Sequence, residues 1–147
     1  MHPPRLSKTL FLLFALLAAI AIAHYFGLSK LLYWKIAWYD IPMHLAGGAW
    51  VGLLFFYLFE ERWGILTDRI SAPARIIFSL GFAALVGVLW EFYEYFADVF
   101  ILKKYTIFSA QPGLVDTLQD LLNDLIGAVA VAVLWIWFQR KRHSVNT

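Results

Sequence analysis

Four apolar stretches, each long enough to cross a bilayer, leave this chain few ways to fold. They run from about residue 9 to 27, 40 to 59, 74 to 99 and 116 to 138. A hydrocarbon core about 30 Å thick takes roughly 20 helical residues, and main-chain polar groups inside it must be satisfied within the helix. Hydrophobic residues make up 62% of the chain, charged residues only 15%, and the mean hydropathy is +0.70. A soluble domain carries about 25% charge, so lipid is the better solvent. The expectation is an all-α, integral membrane four-helix bundle, with residues 1–147 forming a single transmembrane domain.

The boundaries carry their own signals. The first stretch has the basic start, apolar centre and Ala21-x-Ala23 site of a cleavable signal peptide. It is nevertheless expected to stay as the first helix, because a small bundle needs its cover. Residues 28–39 hold Tyr33, Trp34, Trp38 and Tyr39 among Lys30 and Lys35, which suits an interfacial connector with rings at headgroup level. Asp40 followed by Pro42, and Ser71 followed by Pro73, are cap-plus-proline helix starts. Gly47-Gly48-Ala49 is a patch of small residues that lets a neighbouring backbone come close. Residues 100–115, with Lys103, Lys104, Tyr105, Phe108 and Gln111-Pro112-Gly113, are apolar enough to lie in the interface and act as a lid.

Four spans put both termini on one side. That side holds Arg5, Lys8, Arg62, Arg69, Arg75, Arg140, Lys141 and Arg142, against Lys30, Lys35, Lys103 and Lys104 on the other. The positive-inside rule then places both termini in the cytoplasm. Following the spans from there brings His24, Asp40, His44, Glu91, Glu94, Asp98, Asp116, Asp120 and Asp124 to one depth in the outer half. Charge in hydrocarbon costs several kcal/mol unless paired or wetted, so these groups must meet one another.

In the fourth span Asp116, Asp120, Asn123 and Gly127 share one stripe at about 100° per residue, with Asp124 at its edge. In the third, Glu91, Glu94, Tyr95 and Asp98 share a face. Structure alone accounts for part of this set. Asp40 and Asp116 read as N-caps, and Asp120 as the capping-box partner of Thr117. Asp98 reads as solvated at the interface, His24 as an interfacial residue, and Tyr95 as belt or packing. His44, Glu91, Glu94, Asn123 and Asp124 lie a turn or more inside their helices, beyond ordinary capping. The glutamates also sit at a helix C-terminus, where the dipole disfavours negative charge. A purely structural ion network would add little net stability, whereas intramembrane ionisable groups are functional by default.

One imidazole with several carboxylates suits Mg, Mn, Zn or Fe. The expected ligands are therefore His44, Glu91, Glu94, Asp120 and Asp124, with Asn123 orienting and Asp40 and Asp116 supporting. At the outer interface a metal would act on, or hold, a lipid-linked headgroup. The alternatives are an envelope binding module without catalysis, or a proton or cation transport component. Transport is the weakest, since residues from Trp50 to Phe59 and from Gly127 to Phe138 are apolar or small and offer no ionisable path through the inner half. With no HExxH motif, nucleophile arrangement or phosphate loop, catalysis is left open. No Cys is present and the net charge is only +2, which excludes thiolate chemistry and gives no sign of nucleic-acid binding. Membrane lipids are the expected partners, and a homo-oligomer is compatible with the pattern.

Asp40-x3-His44-x3-Gly48, Glu91-x2-Glu94 and Asp116-x3-Asp120 with Gly127-Ala128 together resemble the YjdF-like family of small prokaryotic membrane proteins. More distantly they resemble the VanZ-like family, from which the chain departs at Asp124 and Glu94, where an Asn and a Gln are expected. The resemblance spans the second to fourth helices. It implies a multi-pass protein of the prokaryotic cytoplasmic (inner) membrane and, for the VanZ-like branch, a link to glycopeptide-antibiotic resistance. It supplies no reaction.

Overall fold

The computed structural model describes residues 7–66 and 70–145, with side chains as far as Lys141. Of the basic residues that set the expected orientation, Arg5, Arg69 and the Arg142 side chain lie outside the described residues. Helix α1 runs Lys8–Ser29 and α2 Asp40–Phe56, the latter prolonged by a π-helical turn, Tyr57–Arg62. Helix α3 runs Ala72–Ala97 and continues through a π turn, Asp98–Leu102, into Lys103–Tyr105; α4 runs Leu114–Val145. All four are long and apolar enough to cross a membrane. A short helical turn, Leu32–Lys35, sits between α1 and α2.

The helices overrun the expected limits for local reasons. Ser7 caps α1, its Oγ accepting from the Leu10 N–H at 3.0 Å. Ser71 takes the cap position of α3 in an extended conformation, with proline in the first turn but no side-chain cap bond. Helix α3 stays helical beyond Val99, with a change to π register at Asp98.

Helix α2 is the centre of the bundle. It packs along α4 and also touches α1 and α3, while α3 leans on α4. Glycine makes the α2–α4 contact possible. A Cβ on Gly48 would collide with the Asp124 main chain, and one on Gly127 with the Leu45 carbonyl. This is backbone-to-backbone packing of the kind small residues permit in membranes. The buried stripe of α3 is Arg75, Ser79, Ala83, Gly87 and Glu91, spaced by four. Val51, Ala83 and Ala128 form one apolar layer; Phe55, Phe56 and Ala132 form the next. Large apolar side chains such as Phe11, Ile77 and Leu134 face outward, as expected for a lipid-exposed surface.

The polar residues divide between the two ends. At the end bearing the termini, Glu60 accepts from Arg75 Nε at 2.6 Å and from Trp135 Nε1 and Gln139 Nε2 at 2.7 Å each. Beside it Glu61 accepts from Thr9 Oγ1 at 2.6 Å. At the other end α1 and α3 finish and α2 and α4 begin, and there the remaining carboxylates collect.

Candidate functional site

His44, one turn into α2 and 6% exposed, is the hub. Its Nδ1 lies 3.3 Å from Asp124 Oδ1, and its Nε2 lies 3.6 Å from Asp40 Oδ1 and 3.8 Å from Asp120 Oδ1. Both ring nitrogens thus face carboxylates from two helices. The Gly48–Gly127 approach brings α4 close enough for this. Gly87 clears room on the α3 side, where an added Cβ would lie 2.8 Å from Asp124 Oδ2.

From α3 come Glu91 and Glu94. Glu91 Oε2 accepts from Gln111 Nε2 at 2.8 Å, and Glu94 Oε1 accepts from Trp90 Nε1 at 3.0 Å. Their other oxygens, Glu91 Oε1 and Glu94 Oε2, are buried without a partner among the described residues, as are Asp116 Oδ2 and Asp120 Oδ2. Such orphan acceptors cost roughly 1–3 kcal/mol each, more when charged. Two triads could hold a metal ion: Asp40, His44 and Asp120, and His44, Glu91 and Glu94. In each, the candidate ligand atoms lie within 4.8 Å of one another, a separation that an ion about 2.0–2.5 Å from each donor can bridge. His44 belongs to both.

Several sequence expectations are corrected here. Asp40 is not an N-cap: it is the first helical residue, and Tyr39 occupies the cap position without a side-chain bond. Asp116 is not a cap either, because α4 already starts at Leu114. Asp120 makes no capping box with Thr117, whose N–H goes to the Gly113 carbonyl at 3.2 Å. Instead Asp120 is 1% exposed and turned toward His44. Asn123 is buried, but its Nδ2 has no partner among the described residues, so the expected orienting bond from that amide is not found there. Tyr95 is 51% exposed and leaves the face it was expected to share with Glu91.

Asp98 differs most from expectation. It is 1% exposed rather than solvated, and it clamps the loop that follows α3. Its Oδ1 accepts from the Ala110 N–H at 2.7 Å, and its Oδ2 accepts from the Gln111 N–H at 3.1 Å and from Ser109 Oγ. Trp34 Nε1 donates to the Ser109 carbonyl at 2.8 Å, and its ring meets Phe108 at 4.7 Å. The connector and the loop therefore latch over the site, and Gln111 reaches Glu91 from above. Carboxylate acceptors of this kind are worth about 1.5–3 kcal/mol per bond. Replacing Asp98 with Ala is expected to speed hydrogen exchange at the Ala110 and Gln111 amides by about tenfold or more. Unchanged exchange would remove Asp98 as the clamp.

His24, read from sequence as interfacial, also belongs to the site. Its Nδ1 is 2.7 Å from the Tyr33 hydroxyl, and its ring packs against Trp90. Burial, with Asp40, Tyr39 and Glu94 nearby, raises the Tyr33 phenol well above the ordinary range, which keeps it protonated and able to donate to His24. Two cavities meet at His24, Tyr33, Asp40, Trp90 and Glu94. One, of about 250 Å³, reaches in among α1, α2 and α3; the other, of about 440 Å³, lies under the loop. The sequence signal for His24 is its depth, shared with His44, which its position beside Tyr25 at a helix end obscures.

A family model described as "Predicted membrane protein (DUF2238)" matches residues 3–142. A protein of Thermotoga maritima, described as "Uncharacterized protein", is 35% identical over 100 residues, covering 68% of this chain and 48% of the relative. The chain thus spans about half the length of that relative. No solved structure matches.

Proposed function

The chain belongs to the DUF2238 family of predicted membrane proteins, and on that premise we propose that its polar end is a divalent-cation site acting on, or holding, a lipid-linked headgroup. The observation that carries this is the set of orphan oxygens on Glu91, Glu94 and Asp120, gathered around one imidazole. A cation would satisfy them together. The donors are mostly oxygen, which favours Mg or Mn, and the shared His44 keeps Zn and Fe within range. Such an ion, when bound, polarises a phosphoryl oxygen or lowers the pKa of a water. His44, Glu91 and Glu94 would hold it, Asp120 and Asp40 would serve the second triad through His44, and Asp124 would fix the imidazole by its Nδ1 contact.

In this reading the site faces the exterior of a prokaryotic inner membrane and both termini are cytoplasmic. The excess of basic residues at the termini supports that orientation. Kinship with the VanZ-like family is likewise part of the proposal, resting on Asp40-x3-His44-x3-Gly48 and on Asp116-x3-Asp120 with Gly127-Ala128. A conduction role is disfavoured, because two apolar layers, Val51–Ala83–Ala128 and Phe55–Phe56–Ala132, lie between the site and Glu60.

Elemental analysis of the detergent-purified protein tests the reading. Near-stoichiometric metal is expected in the parent and is expected to be lost in His44→Ala and in Glu91→Gln. Full retention in Glu91→Gln would strike Glu91 from the ligands. A parent that takes up none of Mg, Mn or Zn would overturn the site altogether and leave a hydrogen-bonded carboxylate network.

A further inference from the structure

The inner cavity, of about 250 Å³, owes its existence to how α1 is attached. Helix α1 packs chiefly on α2 and has no comparable packing on α3. Trp50 Nε1 ties α2 to the Leu13 carbonyl at 2.9 Å, and the Tyr39 hydroxyl bonds to the Ala23 carbonyl at 2.8 Å. Between these ties α1 and α3 stand apart, and the gap is walled by Leu17, Ile20, Val51 and Val86. It is apolar along its length and polar at one end, where Asp40, His44 and Glu94 line it. The apolar wall lies toward the termini end and the polar group at the loop end, so the cavity is amphiphilic along the membrane normal.

An apolar cavity of this type does not hold water well. At about 250 Å³ it has room for a stretch of hydrocarbon chain. The charge of the polar end restricts what can bind there. Among the described residues neither cavity is lined by a lysine or arginine, so an anionic head meets no ammonium or guanidinium there, and a cation on the carboxylates would supply the missing charge.

We propose that this cleft seats the single hydrocarbon chain of an oxyanion-headed amphiphile, an alkyl or prenyl phosphate or a fatty carboxylate, whose head completes the coordination of the cation at His44. The proposal rests on the cation reading above and adds the ligand class, its side-on entry between α1 and α3, and its orientation. The chain points toward the termini end, and the head lies beneath the Asp98-clamped loop.

The test is photo-crosslinking in nanodiscs of a zwitterionic lipid, with dodecyl phosphate carrying a diazirine on its chain, with and without Mn²⁺. Mn²⁺-dependent labels are expected on Leu17, Ile20 and Val86, reduced by unlabelled dodecyl phosphate or dodecanoate. The better competitor identifies the head as phosphate or carboxylate. Ile20→Trp and Val86→Trp, which fill the cleft from two different helices, are each expected to cut the labelling by about tenfold while leaving Mn²⁺ content unchanged. Labelling confined to outward-facing residues such as Phe11 and Ile77 would overturn the proposal, leaving ordinary bilayer lipid over the cleft. So would cleft labelling that ignores Mn²⁺ and is displaced by dodecyltrimethylammonium, which would assign a cationic head. A protein that binds no metal sinks the cation site itself; a protein that binds Mn²⁺ without coupling to the label sinks this inference alone.

Discussion

Gly48→Ala is expected to destabilise the protein by about 3 kcal/mol, lowering the melting midpoint by roughly 6–12 °C, and to empty the cation site with it. The added Cβ would fall on the Asp124 main chain, and no rotamer change can relieve a clash with backbone. Helices α2 and α4 must separate, and the His44–Asp124 contact at 3.3 Å separates with them. Gly127→Ala is expected to act alike from the other side, against the Leu45 carbonyl and the Ala49 nitrogen. Gly81 on α3 is the control: a Cβ added there would meet nothing within 4 Å, so Gly81→Ala should be neutral or, through helix propensity, slightly stabilising. The comparison is made by thermal unfolding in detergent alongside metal content. A Gly48→Ala protein as stable as the Gly81→Ala protein would show that the α2–α4 seam is not in backbone contact.

That seam is legible in the sequence only as a patch of small residues, because a glycine does not announce which neighbour it admits. The long-period features are readable. Apolar length marks out the four helices, and the alternating direction of the spans brings His44, Glu91, Glu94, Asp120 and Asp124 to one end. Short-range rules mislead at helix starts. Asp40, Asp116 and Asp120 satisfy the composition rule for caps, yet α4 begins two residues before Asp116 and Tyr39 already precedes Asp40 in helical geometry. A carboxylate near a helix N-terminus can cap it or turn into the bundle, and only tertiary packing decides between them. Asp98 misleads for the same reason: its partners are main-chain N–H groups of a loop whose path local sequence does not specify. At Glu60 the sequence itself shows only charge following an apolar run. The π turn at Tyr57–Arg62 instead carries it back against Arg75 and α4. The spacing of Trp135 and Gln139, i and i+4 on α4, is the available hint.

The Glu60 cluster supports the second large prediction. Glu60 and Arg75 side chains are 7% and 8% exposed, and Glu60 has three donors: Arg75, Trp135 and Gln139. Removing one partner of a buried ion pair costs about 3–5 kcal/mol, whereas replacing both with apolar groups is often nearly neutral. Glu60→Leu is expected to fall at the upper end, because it leaves the Arg75 guanidinium without its counter-charge, with Gln139 Oε1 as its remaining acceptor among the described residues, and leaves two further donors unsatisfied. Arg75→Leu is expected to cost less, because Trp135 and Gln139 still donate to the carboxylate. The Glu60→Leu/Arg75→Leu double variant should be more stable than the sum of the two losses by about 1–3 kcal/mol, as read from a double-mutant cycle in chemical unfolding. Strict additivity would mean that the two charges do not depend on each other. Two apolar layers separate this cluster from His44, so whatever fraction remains folded should bind metal as the parent does. The termini end of the bundle would then be a fastening, and the chemistry would belong to the end where the orphan oxygens lie.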